Sequence, residues 1–99
     1  MNKVIGMDLG DKQNVIVVIE ADGNECPPQR VANTSKMIQR FFAKHSGADV
    51  VIEAGTHSAW ISRLLESMGH KVCVGNPRKL GPFGMRMTRA MNGMLVFLL

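Results

Sequence analysis

Apolar residues fall in short blocks separated by polar turns, and the spacing inside the blocks changes along the chain. The first two blocks, "KVIGMDL" at 3–9 and "NVIVVIE" at 14–20, are rich in β-branched residues and are divided by "GDKQ". They read as two strands joined by a turn. "ADGNE" follows, and Asp22-Gly23 is a two-residue hairpin signal, because that turn favours residues that tolerate positive φ. A third strand is expected within 25–32, with Pro27 and Pro28 confining its start to an edge or a bulge.

From Ala32 the period lengthens. Met37, Ile38, Phe41 and Phe42 recur at i, i+1, i+4 and i+5, which is one face of a helix. Asn33 or Thr34 can cap its start, and Gly47 can end it. "ADVVIEAG" at 48–55 returns to strand. "THSAWISRLLESMGH" is a second helix, with Thr56 as the expected cap, Gly69 as its stop, and Trp60, Ile61, Leu64, Leu65 and Met68 on its buried face. "KVCVG" at 71–75 is a fifth strand, and "NPRK" is a loop.

The element order is therefore β-β-β-α-β-α-β, an α/β fold. Three strands joined by short turns make an antiparallel meander, and each helical crossover adds a parallel strand. The simplest result is a mixed sheet of order 3-2-1-4-5. No internal repeat or low-complexity segment interrupts it.

That topology gives Asp8 a meaning. Strand 4 lies beside strand 1 and parallel to it. Asp8 and Glu53 then reach the same edge of the sheet from the C-terminal ends of neighbouring strands, where open α/β sheets tend to bind ligands. Two converging carboxylates repel unless a cation or a shared proton intervenes. Oxygen donors favour Mg²⁺ or Mn²⁺ over zinc, and paired divalent ions serve phosphodiester chemistry. The plainer reading stays open: strand-end acids that face water, with Glu53 favouring the N-terminus of the following helix. Asp11 reads as a turn residue. His57, in the first turn of the second helix, is either a polar helix-start residue or a contact to phosphate or metal-bound water. His45 and His70 sit near helix ends, where a cation suits the dipole. The Trp60 face reads as core.

Length and charge bound these readings. Ninety-nine residues with 45% apolar content make one small domain. No apolar run approaches a membrane span, and Asp8 and Asp11 interrupt any signal-peptide pattern, so a cytoplasmic protein without membrane partners is expected. Cys26 and Cys73 lack metal-ligand spacing and read as reduced thiols. The net charge is +4, but residues 1–66 hold seven Lys/Arg against eight Asp/Glu, while residues 67–99 hold five Lys/Arg and no acid. Within that basic third, Arg78 and Lys79 of "NPRKL" follow the last strand at the carboxylate edge and can contact a nucleic-acid backbone.

The segments "VIGMDLGDKQNVIVVIEADG", "RVANT", "VVIEAGTHSAWISRLLESMGHKV" and "NPRKL" together resemble the N-terminal domain of the DEDD transposases of bacterial insertion sequences. The resemblance spans residues 3–80, and "EAGTHS…W…LLE…GH" followed by "NPRKL" is its specific part. It implies a RuvC-like, ribonuclease H-like catalytic domain. It implies Asp8 and Glu53 as the first D and the E of a metal-binding tetrad, with Mg²⁺ (or Mn²⁺) ions. It also implies a DNA substrate cut and joined during transposition, and a guide RNA as partner. Members also carry a separate domain with a serine nucleophile, beyond the span of this resemblance.

After Leu80 the family leads into an Asp-rich helix that supplies the last two acids. Residues 81–99, "GPFGMRMTRAMNGMLVFLL", contain neither Asp nor Glu. Two of four ligands are thus missing, and little activity is expected from this chain alone. Met85, Met87, Met91 and Met94 crowd this tail, and ATG contains the AT of the aspartate codon GAT, which points to a frameshifted end. The alternative is a Met-rich helix over 84–98 that packs on a partner, either a second copy or an intact transposase. Two other function classes remain beside the truncated transposase. One is a non-catalytic nucleic-acid-binding remnant. The other is an actin-like ATPase fragment, which Asp11-Lys12 after the glycine disfavours. The frameshift reading predicts an Asp-rich continuation in another frame of the encoding DNA downstream of codon 80; a frame without one refutes it.

Overall fold

The computed structural model describes residues 2–75 together with the strands Arg86–Arg89 and Leu95–Leu98. In chain order the elements are β1 (Val4–Asp8), β2 (Gln13–Ile19), β3 (Gln29–Ala32), α1 (Ser35–Phe42), β4 (Asp49–Glu53), α2 (Ser58–Ser67), β5 (Lys71–Gly75), β6 (Arg86–Arg89) and β7 (Leu95–Leu98). Five strands form one mixed sheet of order β3-β2-β1-β4-β5. β1 runs antiparallel to β2 and parallel to β4, and β4 runs parallel to β5. The α/β class and the strand order 3-2-1-4-5 are thus those expected from the sequence.

The pleat divides the sheet residues between two faces. Ile5, Met7, Ile16, Val18, Val50 and Ile52 share one face and pack with Ile38 and Phe42 of α1 and Ile61 and Leu65 of α2. Both helices therefore cover the same side. Burial of such side chains is the main source of stability, at about 1.5–3 kcal/mol each. The other face carries Val4, Gly6, Asp8, Val17, Ile19, Val51 and Glu53, as the strand registers require. Asp8 ends the β1 row after Val4 and Gly6, and Glu53 ends the β4 row after Asp49 and Val51.

Local signals explain the helix limits. The Thr34 hydroxyl accepts from the Met37 amide and caps α1. Gly47 and Gly69 have φ of 75° and 92°, the left-handed region that glycine enters without a Cβ penalty. At α2 the expected Thr56 cap is not used. The residue before the helix is His57, which makes no capping bond. Instead the Ser58 hydroxyl folds back, donating to the Gly55 carbonyl and accepting from the Gly55 amide. The hairpin also departs from expectation. Residues 21–23 form a three-residue loop, with the Gly23 amide donating to Glu20 and the Glu20 amide to Asn24. Gly23 takes the left-handed conformation at φ 91°.

Residues 86–89 and 95–98 are antiparallel strands, which overturns the alternative of a continuous helix over 84–98. β7 approaches β1 to within 8 Å between Cα atoms. Among the described residues no helix is long and apolar enough to cross a membrane. Both cysteines are free.

The two helix-end histidines behave differently from the expected dipole cations. His70 is buried, its Nδ1 lies 2.9 Å from the Ala48 carbonyl, and its ring meets Phe42 edge-on. His45 packs on Phe41 and faces the Lys3 ammonium 3.2 Å away, while Lys3 also pairs with Glu20. Burial lowers the His45 pKa, and the positive charges of Lys3 and Lys44 lower it further against a smaller opposing effect of Glu20. A histidine whose folded pKa is depressed contributes stability that is fully present above its unfolded value of about 6.5. That contribution is lost as pH falls through the depressed value. The denaturation midpoint in urea is therefore expected to fall on acidification below about pH 6.5, and His45→Gln to flatten that decline.

Candidate metal and phosphate site

The register of β1 on β4 decides the site. Met7 pairs with Ile52, so the next residues, Asp8 and Glu53, stand side by side on co-directional strands. Their backbones are about 4.8 Å apart, and both side chains lie on the face away from the helices. Both are half-buried at the C-terminal ends of their strands. A cavity of about 210 Å³ opens there, lined by the β1–β2 turn on one side and by the β4–α2 turn on the other. Asp8, Asp11, Glu53 and His57 all contribute to its wall.

The β1–β2 turn is held by a polar clamp between distant segments. Asn14 is fully buried. Its side-chain oxygen accepts from the Gly10 amide, and its side-chain amide donates to the Asn33 oxygen. Asn33 in turn donates to the Gly10 carbonyl at 2.8 Å, and its backbone amide donates to the Lys12 carbonyl. Gly10 is needed for a second reason: a Cβ at this position would collide with the Gln13 carbonyl oxygen. The turn that carries Asp11 is thus fixed from inside the fold, and every polar group in the clamp is satisfied.

His57 has both ring nitrogens engaged. The Trp60 indole N–H donates to Nδ1 at 3.0 Å, which leaves the ring proton on Nε2. That Nε2 faces the Asp11 carboxylate at 3.1 Å. The Asp11 side chain is 92% exposed, so the pair orients the ring more than it stabilises the fold. Trp60 packs against the core as expected from its helix face, but its indole edge also sets the tautomer of His57. Asp11, expected only as a turn residue, is both that and the partner of His57. The sequence spacing of His57 and Trp60, i and i+3 on one helix, carries the signal for their contact. Asn14 and Asn33 carry none, because their meeting depends on the sheet.

Three of the five expected site residues, Asp8, Glu53 and His57, line one cavity. Arg78 and Lys79 lie outside the described residues. Among the described residues no group of three or more His, Cys, Asp or Glu side chains is arranged to hold a metal ion. The carboxylates paired at this edge are therefore Asp8 and Glu53, with Asp11 held to His57 and the turn leading into α2 forming the other wall. That turn brings the positive end of a helix dipole to the cavity. The chain matches no protein-family model and no curated protein.

The clamp yields a test. Asn14→Ala leaves the Gly10 amide and the Asn33 Oδ1 without their partner, and is expected to cost about 1–3 kcal/mol of stability. Urea unfolding reads the loss. Hydrogen exchange at the Gly10 amide should accelerate beyond what that loss of global stability accounts for; an unchanged rate removes the clamp's role.

Proposed function

We infer that the cavity is the metal-binding half of a DNA-cleaving site, in a chain derived from the catalytic domain of a DEDD-type transposase with a ribonuclease H-like fold. The observation that carries this reading is the in-register pairing that sets Asp8 beside Glu53 at the C-terminal edge of parallel strands. The same strand order and the same two acids are what the resemblance over residues 3–80 leads one to expect.

Asp8 and Glu53 would hold Mg²⁺ or Mn²⁺, whose preference for hard oxygen donors they fit. Such an ion, when bound, neutralises charge on a phosphodiester and activates an attacking oxygen. The chain's own residues account for the rest. The two carboxylates hold the reacting phosphate's counter-charge in place. The N-terminus of α2 favours a phosphate oxygen on the opposite wall. His57 donates from its Nε2–H to Asp11 at the cavity rim, with Trp60 holding the ring in that tautomer. Arg78 and Lys79 of the same chain supply the basic groups that a nucleic-acid backbone would need.

The acids are fewer than cleavage needs. Residues 81–99 hold no Asp or Glu, so with the acids of residues 1–99 alone, water or a bound phosphate would complete the coordination of an ion. Affinity is then expected in the weak range, with Kd of order 1 mM. That shortage favours a second reading beside the first: a cytoplasmic remnant that binds DNA or guide RNA, or pairs with an intact transposase or a second copy, without cutting.

Titration with Mn²⁺, followed by electron paramagnetic resonance of the free ion, tests the site. Wild-type protein should bind weakly, and Asp8→Asn or Glu53→Gln should reduce affinity at least ~10-fold. Binding that survives both substitutions refutes the assignment. Plasmid nicking in Mg²⁺ should be absent or slow; rapid nicking abolished by Asp8→Asn would show the two carboxylates to be sufficient.

A further inference from the structure

The opposite edge of the sheet carries a charge pattern that the carboxylate site does not use. Between Glu25 and Asp49 the chain holds Arg30, Lys36, Arg40 and Lys44 and no acid, a local net of +4. Averaged over residues 1–66, this run is cancelled by acids elsewhere. In the fold it is concentrated. Arg30 on β3, Arg40 on α1 and Lys44 just beyond α1 line a groove of about 160 Å³, with Met37 and Phe41 as its apolar floor. Glu20 pairs with Lys3 and Asp11 with His57, so neither of these carboxylates neutralises the groove.

Two features make this a poor arrangement for the fold alone. Lys36 and Arg40 are like charges four apart on α1, which disfavours the helix, and Lys44 follows just beyond its end. β3 is also the edge strand of the sheet, so its outer backbone groups are unpaired within the sheet. A polyanion relieves the first and can use the second.

Arg30 also stands in line with the carboxylates. Asp8 pairs with Val15, and Val15 pairs with Arg30. Arg30 is thus in the same transverse row as Asp8, two strands away, or about 10 Å between backbones. Arg30 therefore rises on the Asp8 face of the sheet while Arg40 and Lys44 belong to the α1 side, so the cationic groups flank the free β3 edge from both faces.

We propose that this β3–α1 groove binds the backbone of single-stranded nucleic acid, with phosphates on Arg30, Arg40 and Lys44 and a sugar or base against Phe41 and Met37. The proposal rests on the transposase reading only for the choice of nucleic acid as the polyanion. The small groove with an apolar floor favours a single strand, whose bases are free to stack, over a duplex.

Fluorescence anisotropy of a labelled 20-nucleotide DNA strand, titrated with the full chain in EDTA, tests it. The triple variant Arg30→Gln, Arg40→Gln, Lys44→Gln should bind at least ~10-fold more weakly, and its slope of log K against log salt should be shallower by about 2, from three lost contacts at ~0.7 each. Arg40→Gln and Lys44→Gln singly should each lose part of that slope, which guards against misfolding of the triple variant. Lys71→Gln, on the far edge strand β5, should keep the wild-type slope. An unchanged slope in the triple variant overturns the proposal, as does displacement of the DNA by an equal concentration of a poly-glutamate peptide. Because this titration runs in EDTA, it reads the groove without any bound ion, so failure of the metal site in the Mn²⁺ titration and failure of the groove here are separate results.

Discussion

Strand β1 is hydrogen-bonded on both sides, to β2 in the antiparallel sense and to β4 in the parallel sense. Its register on β4 governs what the molecule can do. Because side chains alternate between faces, a slip of one residue would turn Asp8 toward the helices and Met7 away from them. The apolar residues on the helix side forbid that slip: Ile5, Met7, Val50 and Ile52 are all fully buried there. The core thus enforces the meeting of two acids that no attraction between them would produce. Chemistry at the edge depends on packing in the interior.

The two turns that flank the acids are governed by different means. The β1–β2 turn is tied by Asn14, Asn33 and Gly10, so its shape depends on a residue from the β3–α1 connection. The β4–α2 turn is tied locally by Ser58 and by the His57–Trp60 contact. Trp60 links this turn to the helix core, so the orientation of His57 follows from how α2 packs. The basic groove at β3 depends on the same β3–α1 connection. Asn33 therefore lies between the acidic edge and the cationic edge and is bonded to the first.

The strand order was legible in the sequence because hydrophobic period, short turns and glycine stops all agree, and because two helical crossovers leave few sheet orders. The convergence of Asp8 and Glu53 followed from that order. Helix ends were legible too where the signals were strong: Asn33 or Thr34 for the start of α1, of which Thr34 is the cap, and Gly69 for the end of α2. The start of α2 was not, since Thr56, His57 and Ser58 are three adjacent polar residues and only the backbone path selects among them. The Asp22-Gly23 loop gained a residue because Asn24 closes it with Glu20. The Asn14 clamp was hidden, as its partner lies 19 residues away. The cationic groove was hidden by averaging charge over a long segment that also contains every acid of the chain.

The Asn14 clamp has an entropic consequence for any guest at the acidic edge. Loops that order only on contact charge the ligand for their lost freedom, at about 0.5–1.5 kcal/mol per immobilised side chain. Here the rim bearing Asp11 is already stiffened by three interior hydrogen bonds through the asparagine pair and Gly10. That freedom was surrendered during folding, so even a weakly held guest would meet a mouth whose shape is ready-made.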